Sequence, residues 1–559
     1  MPTSRTLPEL FRARVAETPG GEAYRQFDRA AGGWRVVDWA EAGRRVARWR
    51  RALQAELLPS GARVAILARG SLEHVCMDQA ALALGMVPVP LHAIDNPESI
   101  AYILADSGAR MLLVETEARW IALAGLRKRF AELGKVLCLE KPEGGEAVWT
   151  EDWLSQADRA GAAEPAQAGP TPDSLAAIVY TSGTTGRPKG VMLTHRNVVS
   201  NVEALLQIVD VRPDDQFLSF LPLSHTFERT VGYYTPIAAG ACVAYARSVP
   251  ELPQDLRQLR PTILVSVPRI YERIYAKLEE SRLARLRWPL LDLLVGRRLR
   301  AQFGGRLRFA ITGGAPMALA VAERFRELGV EVLQGYGMTE SSPVVSANRP
   351  GANDPASVGP PIPGVEVKIG ANDELLVKGP NVMAGYLNRP EDTAKAVEGG
   401  WLHTGDQAEI REGRIVIKGR IKDIIVTSTG EKIAPADLEL ALQADPLFAQ
   451  AIVIGENRPF LAVLAVLEVH HWKGEAAALG LDSYENNSLD AAAAHQMALG
   501  HIRKALASFP SYATPRAVWM TLEPWTIENG LITPTLKLKR PAIEQRFAEQ
   551  IRRLYDRRS

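Results

Sequence analysis

An α/β fold divided into at least two domains is predicted by three features of the chain. These are its length, a regular alternation of short β-branched runs with helical patterns, and a change of pattern near residue 360. At 559 residues it exceeds the roughly 250–300 residues at which one hydrophobic core stops growing. Apolar residues at 47% and charged residues at 23% are ordinary for a globular protein and exclude a disordered, collagen-like or multi-span membrane chain.

The first set of strands is read at Val64–Leu67, Met86–Val89, Met111–Val114 and Val136–Leu139, with helical segments such as Ser99–Asp106 between them. A second set follows at Ala177–Tyr180, Ile263–Ser266, Phe309–Thr312 and Val330–Leu333. Strand–helix alternation implies parallel sheets, here two in tandem. From Gly359 to Gly419 closely spaced strands and turns (Val365–Lys368, Glu374–Val377, Arg414–Ile417) read as a small antiparallel β-barrel. The stretch Ala160–Pro172, rich in Ala, Gly and Pro, reads as an internal linker. Residues 1–420 are expected to form the large N-terminal domain, two α/β subdomains plus the barrel, and 421–559 a smaller α+β domain.

Lysine and arginine (66) nearly balance aspartate and glutamate (64), so no global field draws nucleic acid. Cys76, Cys138 and Cys242 are far apart and form no CxxC pair, which fits a reducing cytoplasm and excludes a zinc or dithiol centre. The longest weakly polar run, Val231–Ala246, is shorter than the roughly 20 residues of a membrane span.

The strongest local signal is Tyr180-Thr-Ser-Gly-Thr-Thr-Gly-Arg-Pro-Lys-Gly190. Glycines let backbone N–H groups surround phosphate oxygens, the hydroxyls of Thr181, Ser182, Thr184 and Thr185 add donors, and Lys189 supplies a point charge. Gly183 and Gly186 stand between them. Gly190 occupies the place where the common nucleotide P-loop requires Ser or Thr, and composition alone does not separate the segment from an ordinary Gly/Thr surface loop. Gly335-Tyr-Gly337 sets a flat ring between two residues that allow close approach, a platform for a purine face, or a core tyrosine. Thr339 offers a hydroxyl to an α-phosphate, and Glu340 a carboxylate to Mg²⁺, which takes one or two protein carboxylates plus phosphate oxygens. Asp406, after a Thr-Gly turn, suits a pair of ribose hydroxyls or a plain turn. By its own setting His225 is a satisfied core histidine as readily as a ligand.

These segments, with Leu221-Pro-Leu-Ser-His225, His403-Thr-Gly-Asp406, Gly419-Arg-Ile-Lys-Asp423 and Pro534-Thr-Leu-Lys537, resemble in order the motifs of the adenylate-forming (AMP-binding) superfamily over nearly the whole chain. The superfamily includes acyl-CoA synthetases, luciferases and peptide-synthetase adenylation domains. The resemblance implies ATP, Mg²⁺ and coenzyme A as cofactor and co-substrates, and an active site between a large domain and a mobile small one. It implies that Gly314 and Ala315 contact adenine, that Arg420 joins Asp406 at the ribose, and that His225 lines the acyl and α-phosphate junction. Lys537 is then the adenylation lysine, Lys422 the hinge, and Gly430 faces the CoA tunnel. Leu536 replaces the glycine of the commoner Pro-Thr-Gly-Lys. Thr-Pro-Thr-Leu-Lys-Leu-Lys-Arg540, Leu223–Arg229 and Ser266–Glu272 resemble the long-chain fatty acyl branch. The expected reaction is therefore fatty acid–CoA ligation through an acyl-adenylate. The alternatives are delivery to a carrier protein, CoA ligation of an aromatic or medium-chain acid, a luciferase-like oxygenase, and an ATP-binding scaffold without catalysis.

Phe227, Tyr233 and Tyr234 are candidate acyl-tunnel residues. Between Ser281 and Leu307, Arg282, Arg285, Arg287, Arg297, Arg298, Arg300 and Arg306 lie beside Trp288, Leu290, Leu291, Leu293 and Leu294. That pattern suits a helix lying on a membrane surface, or equally a solvated helix covering the sheet.

Overall fold

The computed structural model describes residues 5–160, 169–181, 188–280, 289–428, 431–507, 509–533 and 537–556. The expected linker falls largely on residues outside these ranges.

A five-stranded parallel sheet runs in the order Val87–Pro90, Arg63–Leu67, Ala109–Val114, Lys135–Cys138 and Val148–Trp149. Side chains alternate between its faces: Val64 and Ile66 enter the central core, Ala65 and Leu67 a second cluster on the other side. Both faces are apolar because both are covered, as parallel sheets require. The helix Leu72–Ala83 is buried nearly all round, as expected of one packed between layers. Asn96 caps Pro97–Ser107 by accepting from the Ser99 N–H at 2.8 Å, and Gly108 ends that helix at φ +60°.

The second sheet has eight strands, in the order Val344–Ala347, Val332–Gly337, Phe309–Thr312, Ile263–Ser266, Gln216–Ser219, Cys242–Tyr245, Glu22–Asp28 and Gly33–Asp38. It corrects two expectations. The sheets are not in tandem, because the hairpin Glu22–Asp38 adds to the second sheet, Tyr24 pairing with Val243, while the first sheet's strands fall between them in sequence. The strand expected at Ala177–Tyr180 belongs to neither parallel sheet. Leu175–Thr181 pairs antiparallel with Lys189–Thr194, and Gly385–Tyr386 completes that three-stranded sheet. Antiparallel neighbours close in sequence satisfy their hydrogen bonds locally, with no need of a crossover helix.

In place of the expected barrel, Glu366–Ile369, Glu374–Lys378, Val397–Glu398, Trp401–Arg411 and Arg414–Arg420 form a five-stranded antiparallel sheet around the long strand Trp401–Arg411, and the described pairings do not close it into a ring. Beyond it, Phe448–Ile454, Ala462–Leu467 and Ala517–Thr521 make the sheet of the small C-terminal domain. Its two faces bury cores of their own, Val453 and Val463 on one, Ile452 and Leu464 on the other. No described helix is long and apolar enough to cross a membrane.

Candidate active site

One cavity of 2730 Å³ collects most of the described residues singled out in the sequence: Thr181, Lys189, His225, Gly314, Ala315, Gly335, Tyr336, Gly337, Thr339, Glu340, Asp406, Arg420, Lys422 and Lys537. Ser182, Gly183, Thr184, Thr185, Gly186 and Gly430 lie outside the described residues. So do Pro534, Thr535 and Leu536 of the C-terminal motif.

The strands on either side of the Gly/Thr segment pair antiparallel, with Tyr180↔Gly190 and Thr181↔Lys189 as the last described rungs. Gly190, the residue that breaks the P-loop pattern, has a packing reason. A Cβ there would sit 2.9 Å from Ile178 Cγ2 and 3.0 Å from Tyr180 Cζ. Lys189 Nζ lies 2.9 Å from Asp392 Oδ2 and 5.2 Å from the centre of the Tyr386 ring.

The strand Val332–Gly337 ends against Val344–Ala347. At Gly337 any Cβ would lie 1.9 Å from the Pro343 carbonyl oxygen, so no other residue fits. Tyr336 donates its hydroxyl to Asp406 Oδ2 at 2.6 Å, and Arg420 Nε forms an ion pair with Asp406 Oδ1 at 3.0 Å. Asp406 and Arg420 face each other in ladder register, so one antiparallel pair fixes both charges. Burial raises the Asp406 pKa, and Arg420 acts against that rise.

Thr339–Ser341 form a single 3₁₀ turn after the strand. Thr226 Oγ1 stands 3.3 Å from Thr339 Oγ1. Glu340 is held at both ends, its carbonyl accepting from the Met383 N–H at 2.8 Å and its Oε1 from the Tyr386 hydroxyl at 2.8 Å. Among the described residues no group of three or more His, Cys, Asp and Glu could cage a metal ion. A lone, nearly buried carboxylate suits an ion completed by phosphate oxygens and water.

His225 accepts from the Phe227 N–H at 3.3 Å. Burial, then the charge of Lys537, then His92 push its pKa down to about 4, so it is neutral at physiological pH. Lys537, from the small domain, lines the cavity. Desolvation there and the charge of Arg420 lower its pKa, while Asp406 and Glu340 oppose them. Its N–H donates to Thr533 Oγ1 at 3.0 Å.

Two tunnel assignments are corrected. The hydroxyls of Tyr233 and Tyr234 donate to Asp78 Oδ2 at 3.1 and 3.0 Å, both rings are fully buried, and neither lines the cavity. A buried carboxylate needs donors, and these two hydroxyls with Arg229 supply them to Asp78. Phe227 does line the cavity.

In the arginine-rich segment, Arg282, Arg285, Arg287 and Trp288 lie outside the described residues. On the helix Pro289–Gln302, Leu293 and Leu294 are each 56% exposed beside exposed Arg297 and Arg298. Arg300 does not share that face: its Nη1 donates to the Leu328 carbonyl at 2.9 Å.

Residues 11–387 match the model of the AMP-binding enzyme family and residues 422–559 that of the AMP-binding enzyme C-terminal domain. A long-chain-fatty-acid–CoA ligase of Mycobacterium bovis is 30% identical over 575 residues, 94% of this chain and 93% of that one. Long-chain-fatty-acid–CoA ligase 1 of Homo sapiens is 31% identical over 88% of this chain and 78% of its own length. Among solved structures, the adenylation domain of a carboxylate reductase from Mycobacterium chelonae superposes with a TM-score of 0.81 at 24% identity, covering 100% of this chain and 92% of that one, which shows the shared fold. Both family models, matches of this extent, and the gathering of the motif residues around one cavity establish that the chain belongs to the AMP-binding enzyme family and is an acid–thiol ligase of the adenylate-forming superfamily.

Proposed function

We propose that this enzyme converts a long-chain fatty acid to its acyl-adenylate with release of pyrophosphate, and then transfers the acyl group to coenzyme A with release of AMP. The observation that carries the reading is Lys537. A lysine of the small domain lines the same cavity as Asp406, Arg420 and Glu340 of the large one and lies within their electrostatic reach. A cation at that junction would offset the negative charge that builds up when a carboxylate attacks the α-phosphorus of ATP.

On this reading the loop Thr181–Gly186 and Lys189 hold the β- and γ-phosphates, and Thr339 holds the α-phosphate. Tyr336 stacks on adenine beside Gly314 and Ala315, and Asp406 with Arg420 takes the ribose. Glu340 would hold Mg²⁺, whose chemistry is to neutralise phosphate oxygens. His225, held neutral by burial, stands at the acyl and α-phosphate junction without adding charge. The acyl carboxylate attacks the α-phosphorus and the bond to pyrophosphate breaks. The domain from residue 421 then turns about Lys422, withdrawing Lys537 and presenting the Gly430 segment to CoA. The thiol adds to the carbonyl and AMP departs.

A cavity of 2730 Å³ is larger than the roughly 300–1,000 Å³ of a drug-sized pocket, with room for a nucleotide and a long chain. Leu205, Val209, Phe227, Val231 and Ile311 provide apolar wall for the chain. The ligases of Mycobacterium bovis and Homo sapiens carry long-chain names, which supports this substrate class over aromatic or medium-chain acids. The exposed leucines and arginines of Pro289–Gln302 then suit an anionic membrane surface, where such acids partition.

The test is pyrophosphate release across straight-chain and aromatic acids, repeated with CoA and with acyl-CoA read by mass spectrometry. Release and thioester formation that rise with chain length support the reading. A preference for aromatic acids, or adenylate formation without CoA transfer, overturns it.

A further inference from the structure

We infer that Tyr386 is a positioning residue for the first half-reaction: its ring holds Lys189 and its hydroxyl aims the Glu340 carboxylate, so that one side chain sets both charges that meet the nucleotide. This rests on the roles proposed above for Lys189 and Glu340.

Tyr386 lies on the short strand Gly385–Tyr386, opposite Val191 of the strand that leaves the phosphate loop. Lys189, two residues before Val191, projects from the same face of that strand, which places it diagonally across the ladder from Tyr386. The result is the 5.2 Å approach of Nζ to the ring centre, with Asp392 Oδ2 2.9 Å from the same ammonium group. An ammonium over an aromatic face is attracted by the ring quadrupole. The other end of the same ring donates to Glu340 Oε1 at 2.8 Å.

The backbone leaves Tyr386 little freedom. Its N–H donates to Thr393 Oγ1 at 2.9 Å, and Leu387 N–H donates to the Gly190 carbonyl at 2.8 Å. A donor that fixes one carboxylate oxygen orients the other, as outer groups do around metal-binding carboxylates.

Tyr386→Phe keeps the ring beside Lys189 and removes only the O–H. Binding of Mn²⁺ in the presence of a non-hydrolysable ATP analogue, followed by electron paramagnetic resonance, is expected to weaken by about 10-fold or more. The Mg²⁺ requirement of adenylation should rise in parallel, while thioester formation from supplied acyl-adenylate should be unchanged. Glu340→Gln should weaken Mn²⁺ binding at least as much, and adding Tyr386→Phe to it should change nothing further. Unaltered Mn²⁺ affinity in Tyr386→Phe alongside weakened binding in Glu340→Gln overturns this inference alone. Unaltered affinity in Glu340→Gln overturns it together with the metal role proposed for Glu340. Tyr386→Leu, which also removes the ring, separates the two contacts. It should raise the KM for ATP above that of Tyr386→Phe, and equal KM values would remove Lys189 from the inference.

Discussion

Lys537→Ala removes a single cation from the cavity wall, and its effect should be confined to one half-reaction. Adenylate formation, measured as pyrophosphate release, should fall by about 10²–10³-fold, the usual cost of one lost electrostatic contact to a transition state. Thioester formation from supplied acyl-adenylate and CoA should persist. Equal loss in both steps, or a stronger effect from Lys539→Ala, would show that the lysine has been misplaced. The Tyr336–Asp406–Arg420 chain makes a graded pair of variants. Tyr336→Phe forfeits one hydrogen bond of about 1 kcal/mol, and the KM for ATP should rise about fivefold. Asp406→Ala leaves the Tyr336 hydroxyl and Arg420 without their shared partner, so its rise should be larger, with kcat less affected. An ATP KM unchanged in both variants would break the ribose assignment. Residues of this kind were legible in the sequence because each motif is contiguous and its side chains suit one chemistry. Tyr386 and Asp392 were not legible. They meet Glu340 and Lys189 only through a ladder joining distant segments, and a two-residue strand has no periodicity to reveal it.

Among the elements, Ile421–Asp423 is a single 3₁₀ turn between the strand Arg414–Arg420 and the small domain. Lys422→Pro fixes φ near −65° and should leave adenylation largely active while slowing thioester formation, the opposite of Lys537→Ala. Stopped-flow assays of the separate steps distinguish the two, and equal slowing of both steps would remove the hinge. The helix Pro289–Gln302 makes a different prediction. Arg297→Gln with Arg298→Gln should reduce co-sedimentation with vesicles containing anionic lipid, and salt should weaken wild-type binding, because exposed charges are screened over about 10 Å at 0.1 M. Arg300→Gln should lose fold stability instead, since that side chain ties its helix to Leu328. Unchanged sedimentation of the double variant would dismiss the membrane surface. Individual strands were legible from their β-branched runs, Ile263–Ser266 and Phe309–Thr312 matching to the residue. Their partners were not, because a run such as Ala177–Tyr180 reads alike in a parallel sheet and in a hairpin.

For the whole molecule, buried titratable groups set how stability varies with pH. His74, His195 and His225 are each pushed by burial from 6.5 down to about 4. The unfolded chain therefore takes up protons on them that the folded chain does not, and stability falls as pH drops from 6.5 toward 4. Glu228, fully buried with Ser219 donating to Oε1 at 2.6 Å, has the reverse effect. Burial raises its pKa from 4.5 to about 8, so the folded state keeps a proton that the unfolded state releases. Its contribution is present below pH 4.5 and is lost as pH rises to 8, at about 1.4 kcal/mol per pH unit. Between pH 6.5 and 8, above the range in which these histidines act, thermal midpoints of Glu228→Gln should decline less than those of wild type. Parallel declines would show that Glu228 does not carry the proton.

The pairing of Tyr24 with Val243 also has a consequence for the chain as it leaves the ribosome. The strands Arg63–Leu67 to Val148–Trp149 find all their sheet partners among themselves and can close as soon as they emerge. Glu22–Asp28 finds only its hairpin neighbour until Cys242–Tyr245 is made. At about 5–20 residues per second, that wait lasts on the order of 10–40 s, with Ala23 and Tyr24, both buried in the finished fold, uncovered. A nascent chain stalled before Cys242 should therefore hold a protease-resistant body beginning near Trp39, whose helix to Ala55 is tied to Thr150–Ala160 by Arg48–Glu151 and Trp49–Trp153, while the strands Glu22–Asp28 and Gly33–Asp38 remain open to cleavage and to capture by a holdase. A circular permutation that opens the chain between Asp38 and Cys242, so that the hairpin is made after Cys242–Tyr245, should abolish that interval.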